Sequence, residues 1–150
     1  MAIEVEPAVS PYLIVDDAAA AIDFYVAAFG AEELGRVPGP EGKLVNAALR
    51  INGSVVMLND DFPEMTGGKS MTPTSLGGTP VSIHLTVTDV ETQFQRAVDA
   101  GATVVAPLED VFWGDRYGVI RDPFGHMWSL GQPMREVSPE EIAAAMAAME

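Results

Sequence analysis

Moving the sequence along itself by 72 positions brings Val15 onto Val87, Asp17 onto Asp89, Gly53 onto Gly125 and Leu58 onto Leu130. A shift of 71 brings Gly30-Ala31 onto Gly101-Ala102. The identities are few, but they fall at helix caps, turns and core positions, where backbone geometry dictates the residue. A chain that repeats itself in this way folds as two copies of one supersecondary unit, and each copy can be read against the other.

In the first copy, Val9–Val15 alternates as a strand, Asp17 is placed to cap a helix over Ala18–Phe29, and Gly30 supplies its left-handed end. Ile22, Tyr25, Val26 and Phe29 form the stripe expected to be buried. A strand at Glu32–Val37 and a turn at Pro38–Gly42 lead to a hairpin, Leu44–Ile51 and Ser54–Asn59, joined by Asn52-Gly53. The second copy repeats the order. Ser82, His84 and Thr86 alternate with Ile83, Leu85 and Val87, giving a strand with one polar and one aliphatic face. Asp89 then caps a helix over Val90–Ala100. Strands follow at Thr103–Ala106 and Tyr117–Arg121, and the turn Asp122–Gly125 opens a last strand, His126–Gly131. The reading is an α+β chain of two βαβββ modules.

Two segments stand outside the repeat. Residues 61–79 carry Pro63, Gly67, Gly68, Pro73, Gly77 and Gly78 without periodicity, and are expected to form a linker or mobile lid. Near the end, Ser138, Pro139 and Glu141 make a capping box for a helix that carries Ile142, Met146 and Met149 on one side. That helix, over 138–149, is expected to pack on the body or on a second subunit. Module one spans 8–60 and module two 80–133, within a single domain over 1–150.

Charge narrows the function. Lys+Arg 8 against Asp+Glu 22 gives a net charge of −14, which repels phosphate backbones and anionic lipid, so neither nucleic acid nor a membrane is an expected partner. With no cysteine, disulfides, thiolate nucleophiles and cysteine metal sites are excluded together. The first residues form no basic leader and no apolar run approaches the roughly 20 residues of a membrane span, so a cytoplasmic protein is expected.

Paired modules with Val-x-Asp before each helix, Gly-Ala after it and Asp-Pro-x-Gly before the last strand resemble the vicinal oxygen chelate superfamily. That group includes glyoxalase I, bleomycin-resistance proteins and extradiol dioxygenases. Pro11–Leu13, Ala21–Tyr25, Phe29–Glu33, Ser82–Leu85, and Trp113–Arg116 through Asp122–His126 are similar to its PhnB-like branch. The resemblance covers residues 9 to 133. It implies a glyoxalase-like pseudo-twofold arrangement whose curved mixed sheets enclose a small-molecule cavity, and it hosts unrelated chemistries.

Metal-using members carry four His/Glu/Gln-type ligands on the first and last strands of each module. Counted from Asp17, Asp89, Gly53 and Gly125, the corresponding positions here are Ser10, Met57, Ser82 and Ser129. None suits a divalent transition metal, because a protonated hydroxyl is a weak ligand and a thioether favours soft ions. No cofactor is therefore expected, and a displaced divalent metal site remains the rival.

Alternation assigns Tyr12, Ile14, Val55, Met57, Asn59, Ser82, His84, Thr86, Met127 and Ser129 to the cavity wall. The loop Val111–Tyr117 is expected at its mouth. There Trp113 either stacks on a planar ligand or closes the sheet edge, and Arg116 either meets an anionic group or pairs with a carboxylate such as Asp115. His84 either satisfies a neighbouring group or serves as a general acid/base. The expected function is binding of a small organic ligand, including antibiotic sequestration, by a homodimer. The alternatives are a metal-dependent lyase, isomerase or dioxygenase, and a metal-free enzyme using His84 as its base.

Overall fold

The computed structural model describes all of residues 1–150. Module one runs β1 (Tyr12–Val15), α1 (Ala18–Phe29), β2 (Glu32–Pro38), β3 (Leu44–Ile51) and β4 (Ser54–Asp60). Module two runs β5 (Ser82–Thr86), α3 (Val90–Ala100), β6 (Thr103–Asp110), β7 (Asp115–Arg121) and β8 (Met127–Pro133). Between them lie a 3-10 turn at Pro63–Met65 and a one-turn helix α2 (Pro73–Leu76); α4 (Pro139–Ala147) ends the chain. The strands form two four-stranded mixed sheets, ordered β1-β4-β3-β2 and β5-β8-β7-β6. No helix is long and apolar enough to cross a membrane.

The repeat is legible atom by atom. Asp17 accepts the Ala20 N–H at 3.1 Å, and Asp89 accepts the Thr92 N–H at 3.3 Å. Asp60 Oδ1 takes the Ala18 N–H at 2.8 Å, and Gln132 Oε1 takes the equivalent Val90 N–H at 3.1 Å. These groups satisfy amides that a helix start leaves without partners. Parallel pairing has one register in both sheets: Tyr12 lies beside Met57, and His84 lies beside Ser129. In the β3–β4 turn both Asn52 (φ 48°) and Gly53 (φ 82°) are left-handed, as a two-residue hairpin requires.

Helix-facing side chains of both sheets join α1 and α3 in one core of 26 buried residues. Phe29 of α1 lies 4.7 Å from Trp128 of β8, and Phe24 lies 6.3 Å from Phe124. Helix α1 is thus covered on two sides, its own sheet and module two. That corrects the single stripe expected for it: Phe24 is buried and Val26 is 42% exposed.

Other boundaries move for local reasons. Strand β1 starts at Tyr12 rather than Val9, because Pro11 has no N–H to donate; its carbonyl still accepts the Met57 N–H at 2.9 Å. Strands β6 and β7 reach further than expected, leaving Val111–Gly114 as the tip of a long hairpin, and α4 stops at Ala147. The segment expected as a lid holds its own hydrogen bonds: Asp61 accepts the Ser70 hydroxyl and the Met71 N–H, and the Thr72 hydroxyl caps α2. A Cβ on Gly125 would lie 2.8 Å from Pro73, so this segment abuts the module-two turn.

Candidate functional site

The two sheets do not close into a barrel, and the residues expected to share one cavity are distributed over several. Ile14 and Asn59 line a pocket of about 280 Å³ on module one, under Phe62 and Met65 of the connecting segment. His84 and Thr86 border a crevice of about 370 Å³ between β5 and the β3–β4 hairpin. Trp113 lines a groove of about 600 Å³ on module two. Tyr12 is half-exposed, its hydroxyl accepting from Asn46 Nδ2 at 2.8 Å, and Asn46 also approaches the Met57 sulfur at 4.0 Å. Ser82 and Met127 are register partners at the start of β5 and β8, neither of them buried.

Module two gathers the chemistry. His84 Nδ1 lies 2.7 Å from Ser129 Oγ, and Ser129 is only 4% exposed. The imidazole lies nearly parallel to the Tyr117 ring, 5.9 Å between centroids and 22° between planes. Trp113 meets the same tyrosine edge-on at 5.4 Å, and Phe112 meets Trp113 at 5.0 Å. Gly131 makes this track possible, since a Cβ there would sit 3.0 Å from His84 Cε1. The Trp113 indole N–H donates to Asp115 Oδ2 at 3.1 Å, which fixes a ring that is otherwise 40% exposed.

The groove continues past Trp113 to Arg135 and Met149 of the C-terminal segment. That segment is fixed at its base: the Met134 and Arg135 N–H groups both donate to the Gly114 carbonyl, at 2.9 and 3.2 Å. Any side chain at Gly114 would collide with the Arg135 backbone.

Arg116 does not face this groove. Its Nε donates to Asp110 at 2.8 Å and its Nη1 to Glu91 of α3 at 2.6 Å, on the helix side of the sheet. The next residue on that face, Gly118, confirms the side, because a Cβ there would lie 2.6 Å from Phe94 of α3. Hydrogen bonding to Arg116 holds the Asp110 carboxyl below its ordinary pKa, and Asp110 holds the guanidinium above its own. The cation that lines the groove is Arg135, in a loose 3.6 Å pair with Glu141.

Tyr117, Arg135 and Met149 were missed in the sequence. Tyr117 was readable: it sits opposite Gly131, two residues beyond Ser129 on one face. Arg135 gave no signal, and Met149 was read only as part of the packing stripe of the C-terminal helix, because this segment returns to the hairpin tip from outside the repeat.

The remaining histidine, His126, donates from Nε2 to the Ile14 carbonyl at 2.9 Å and joins the modules. No three His, Asp or Glu side chains converge anywhere in a way that could hold a metal ion. The positions Ser10, Met57, Ser82 and Ser129 offer hydroxyls and one thioether, and Ser129 is engaged with His84. This donor set does not fit a divalent transition metal.

The family model described as the Glyoxalase/Bleomycin resistance protein/Dioxygenase superfamily matches residues 7–130. An uncharacterised protein of Mycobacterium tuberculosis is 77% identical over 146 residues, covering 97% of this chain and 86% of that one. The crystal structure of TioX from a Micromonospora species superposes with a TM-score of 0.64 at 31% identity, over 85% of this chain and all (100%) of the other. A Bacillus cereus structure titled a putative 3-demethylubiquinone-9 3-methyltransferase, PhnB protein, shares the fold at TM-score 0.61 and 19% identity, over 83% of this chain and 98% of that one.

Proposed function

Because the chain belongs to the Glyoxalase/Bleomycin resistance protein/Dioxygenase superfamily, we propose that it binds a small organic molecule, without the superfamily's metal, on the face of module two's sheet turned away from α3. The observation that carries this is the aromatic groove. About 600 Å³ is the volume of an ordinary ligand pocket, and its Trp113 ring is held in place by Asp115 and the Gly114 anchor rather than left free. Preordered rings lose little freedom on binding, which favours affinity. Sequestration of an aromatic metabolite or antibiotic is the role such a site suits.

The test is a thermal-shift screen of planar antibiotics, aromatic metabolites and α-keto acids, since a ligand of the native state raises apparent stability. A hit is expected to lose its shift in Trp113→Ala. An absence of shifts across all three classes would overturn the reading. Metal analysis of protein purified without chelators is expected to give no stoichiometric transition metal.

One observation favours a second reading. Ser129 holds His84 through Nδ1, leaving Nε2 without a protein partner on an exposed face. A histidine so oriented can exchange a proton with a ligand bound against it. Turnover of any hit that survives in His84→Gln would remove this role.

The partner we propose is a second copy. All four outer strands, β1, β2, β5 and β6, keep one edge unpaired within the chain, and Tyr12, Val37 and Val104 stand exposed on them. Light scattering should give twice the mass of one chain; a monomer at micromolar concentration would remove the second copy from the proposal.

A further inference from the structure

The geometry points to a ligand class for the module-two groove: a planar aromatic cation. This rests on the groove being the ligand site. Its rings are Phe112, Trp113 and Tyr117, whose π faces carry partial negative charge and attract cations. The carboxylates around them are unevenly neutralised. Asp110 is paired with Arg116, but Glu109, which sits opposite Tyr117 in the β6–β7 register, has no cationic partner. Asp115 accepts the Trp113 indole N–H and also lacks a cation. The one positive group in the lining, Arg135, is itself paired with Glu141. A ligand at Trp113 therefore meets the unpaired carboxylate of Glu109 in the lining, a second carboxylate, Asp115, behind the indole edge, and an arginine that already faces Glu141.

The whole molecule acts in the same direction. A net charge of −14 raises the local concentration of cations and slows the approach of anions. An anionic ligand shares Arg135 with Glu141 and accepts repulsion from Glu109 and Asp115. A cationic ring instead stacks on Trp113 with its charge beside Asp115 and Glu109. The Met149 side chain, which lines the same groove, offers a polarisable thioether to the ligand's other face.

Three near-isosteric probes separate the possibilities by calorimetric titration of the full-length protein: N-methylacridinium, acridine at a mildly alkaline pH where it is neutral, and acridine-9-carboxylate. N-methylacridinium is expected to bind about tenfold more tightly than acridine, the carboxylate more weakly than either. In Glu109→Gln the cation's affinity should fall several-fold while acridine's is unchanged, and added salt should weaken only the cation. Acridine or the carboxylate binding as tightly as the cation would overturn the ligand class and leave small-molecule binding standing. If none of the three binds while the thermal-shift screen yields hits lost in Trp113→Ala, the ligand class again fails alone. Silence from both the probes and the screen overturns the site itself.

Discussion

At the scale of single residues, the most demanding group in the molecule is Asp122. Its carboxylate is buried and accepts four hydrogen bonds, from the Tyr25 hydroxyl at 2.5 Å, Trp128 Nε1 at 2.9 Å, and the Phe124 and His126 N–H groups at 2.9 Å. Tyr25 belongs to module one and the other donors to module two, so one carboxylate fastens the modules together. Asp122→Ala leaves those donors without a partner in the core, and is expected to cost about 3–5 kcal/mol, read from the urea midpoint. Tyr25→Phe removes one donor and leaves the rest, at about 1 kcal/mol. Burial, and then the charge of Asp122, hold the Tyr25 phenol well above its ordinary pKa. The folded protein therefore keeps this proton where the unfolded chain loses it. Its contribution is complete below about pH 10 and is lost as pH rises towards the folded-state value. Denaturation at increasing alkaline pH should show wild type losing its advantage over Tyr25→Phe; a constant difference would place the phenol's titration outside the stability balance.

At the scale of elements, the internal repeat turns one argument into paired experiments. Asp17→Ala and Asp89→Ala remove equivalent caps and should each cost about 1 kcal/mol. Asp60 and Gln132 are also equivalent, and each makes a second bond, Asp60 from the Leu44 N–H and Gln132 to the Thr88 carbonyl, both at 2.7 Å, but only Asp60 is buried. Asp60→Ala should therefore cost more than Gln132→Ala, by about 1–3 kcal/mol, and equal midpoints would contradict the part given to burial. The Asp17 and Asp89 caps, the Asn52-Gly53 turn and the alternation of β1 and β5 were legible because each is decided by neighbours a few residues away. Arg116 was not. With the strand taken to begin at Tyr117, residues 113–116 had no face; once β7 begins at Asp115, alternation with Tyr117 turns Arg116 towards α3. The register shifts of β6 near Ala106 and Glu109 break the count on the partner strand as well. Val26 failed for a different reason, since no periodicity tells which of a helix's sides a second module will cover.

At the scale of the molecule, the question is whether two modules that look alike also behave as two. Each has its own sheet and helix, and the strand order gives no hydrogen-bonded ladder between the sheets. Side-chain packing argues the other way. Trp128, fully buried in module two, lies against Tyr25 and Phe29 of module one at 5.4 and 4.7 Å, and Arg96 of α3 donates to the Ala27 and Val26 carbonyls at the end of α1. Neither module can open without exposing the other's core, so unfolding should be a single cooperative event. Leu49→Ala tests this from a distance. Leu49 is fully buried in β3, and its truncation is expected to cost about 2–5 kcal/mol. Trp128 fluorescence, monitored in Trp113→Phe so that the buried indole alone reports, should lose that full amount and stay coincident with far-ultraviolet circular dichroism. A Trp128 transition that holds its midpoint while the dichroism shifts would mean that the modules unfold separately and that the shared core contributes little to cooperativity.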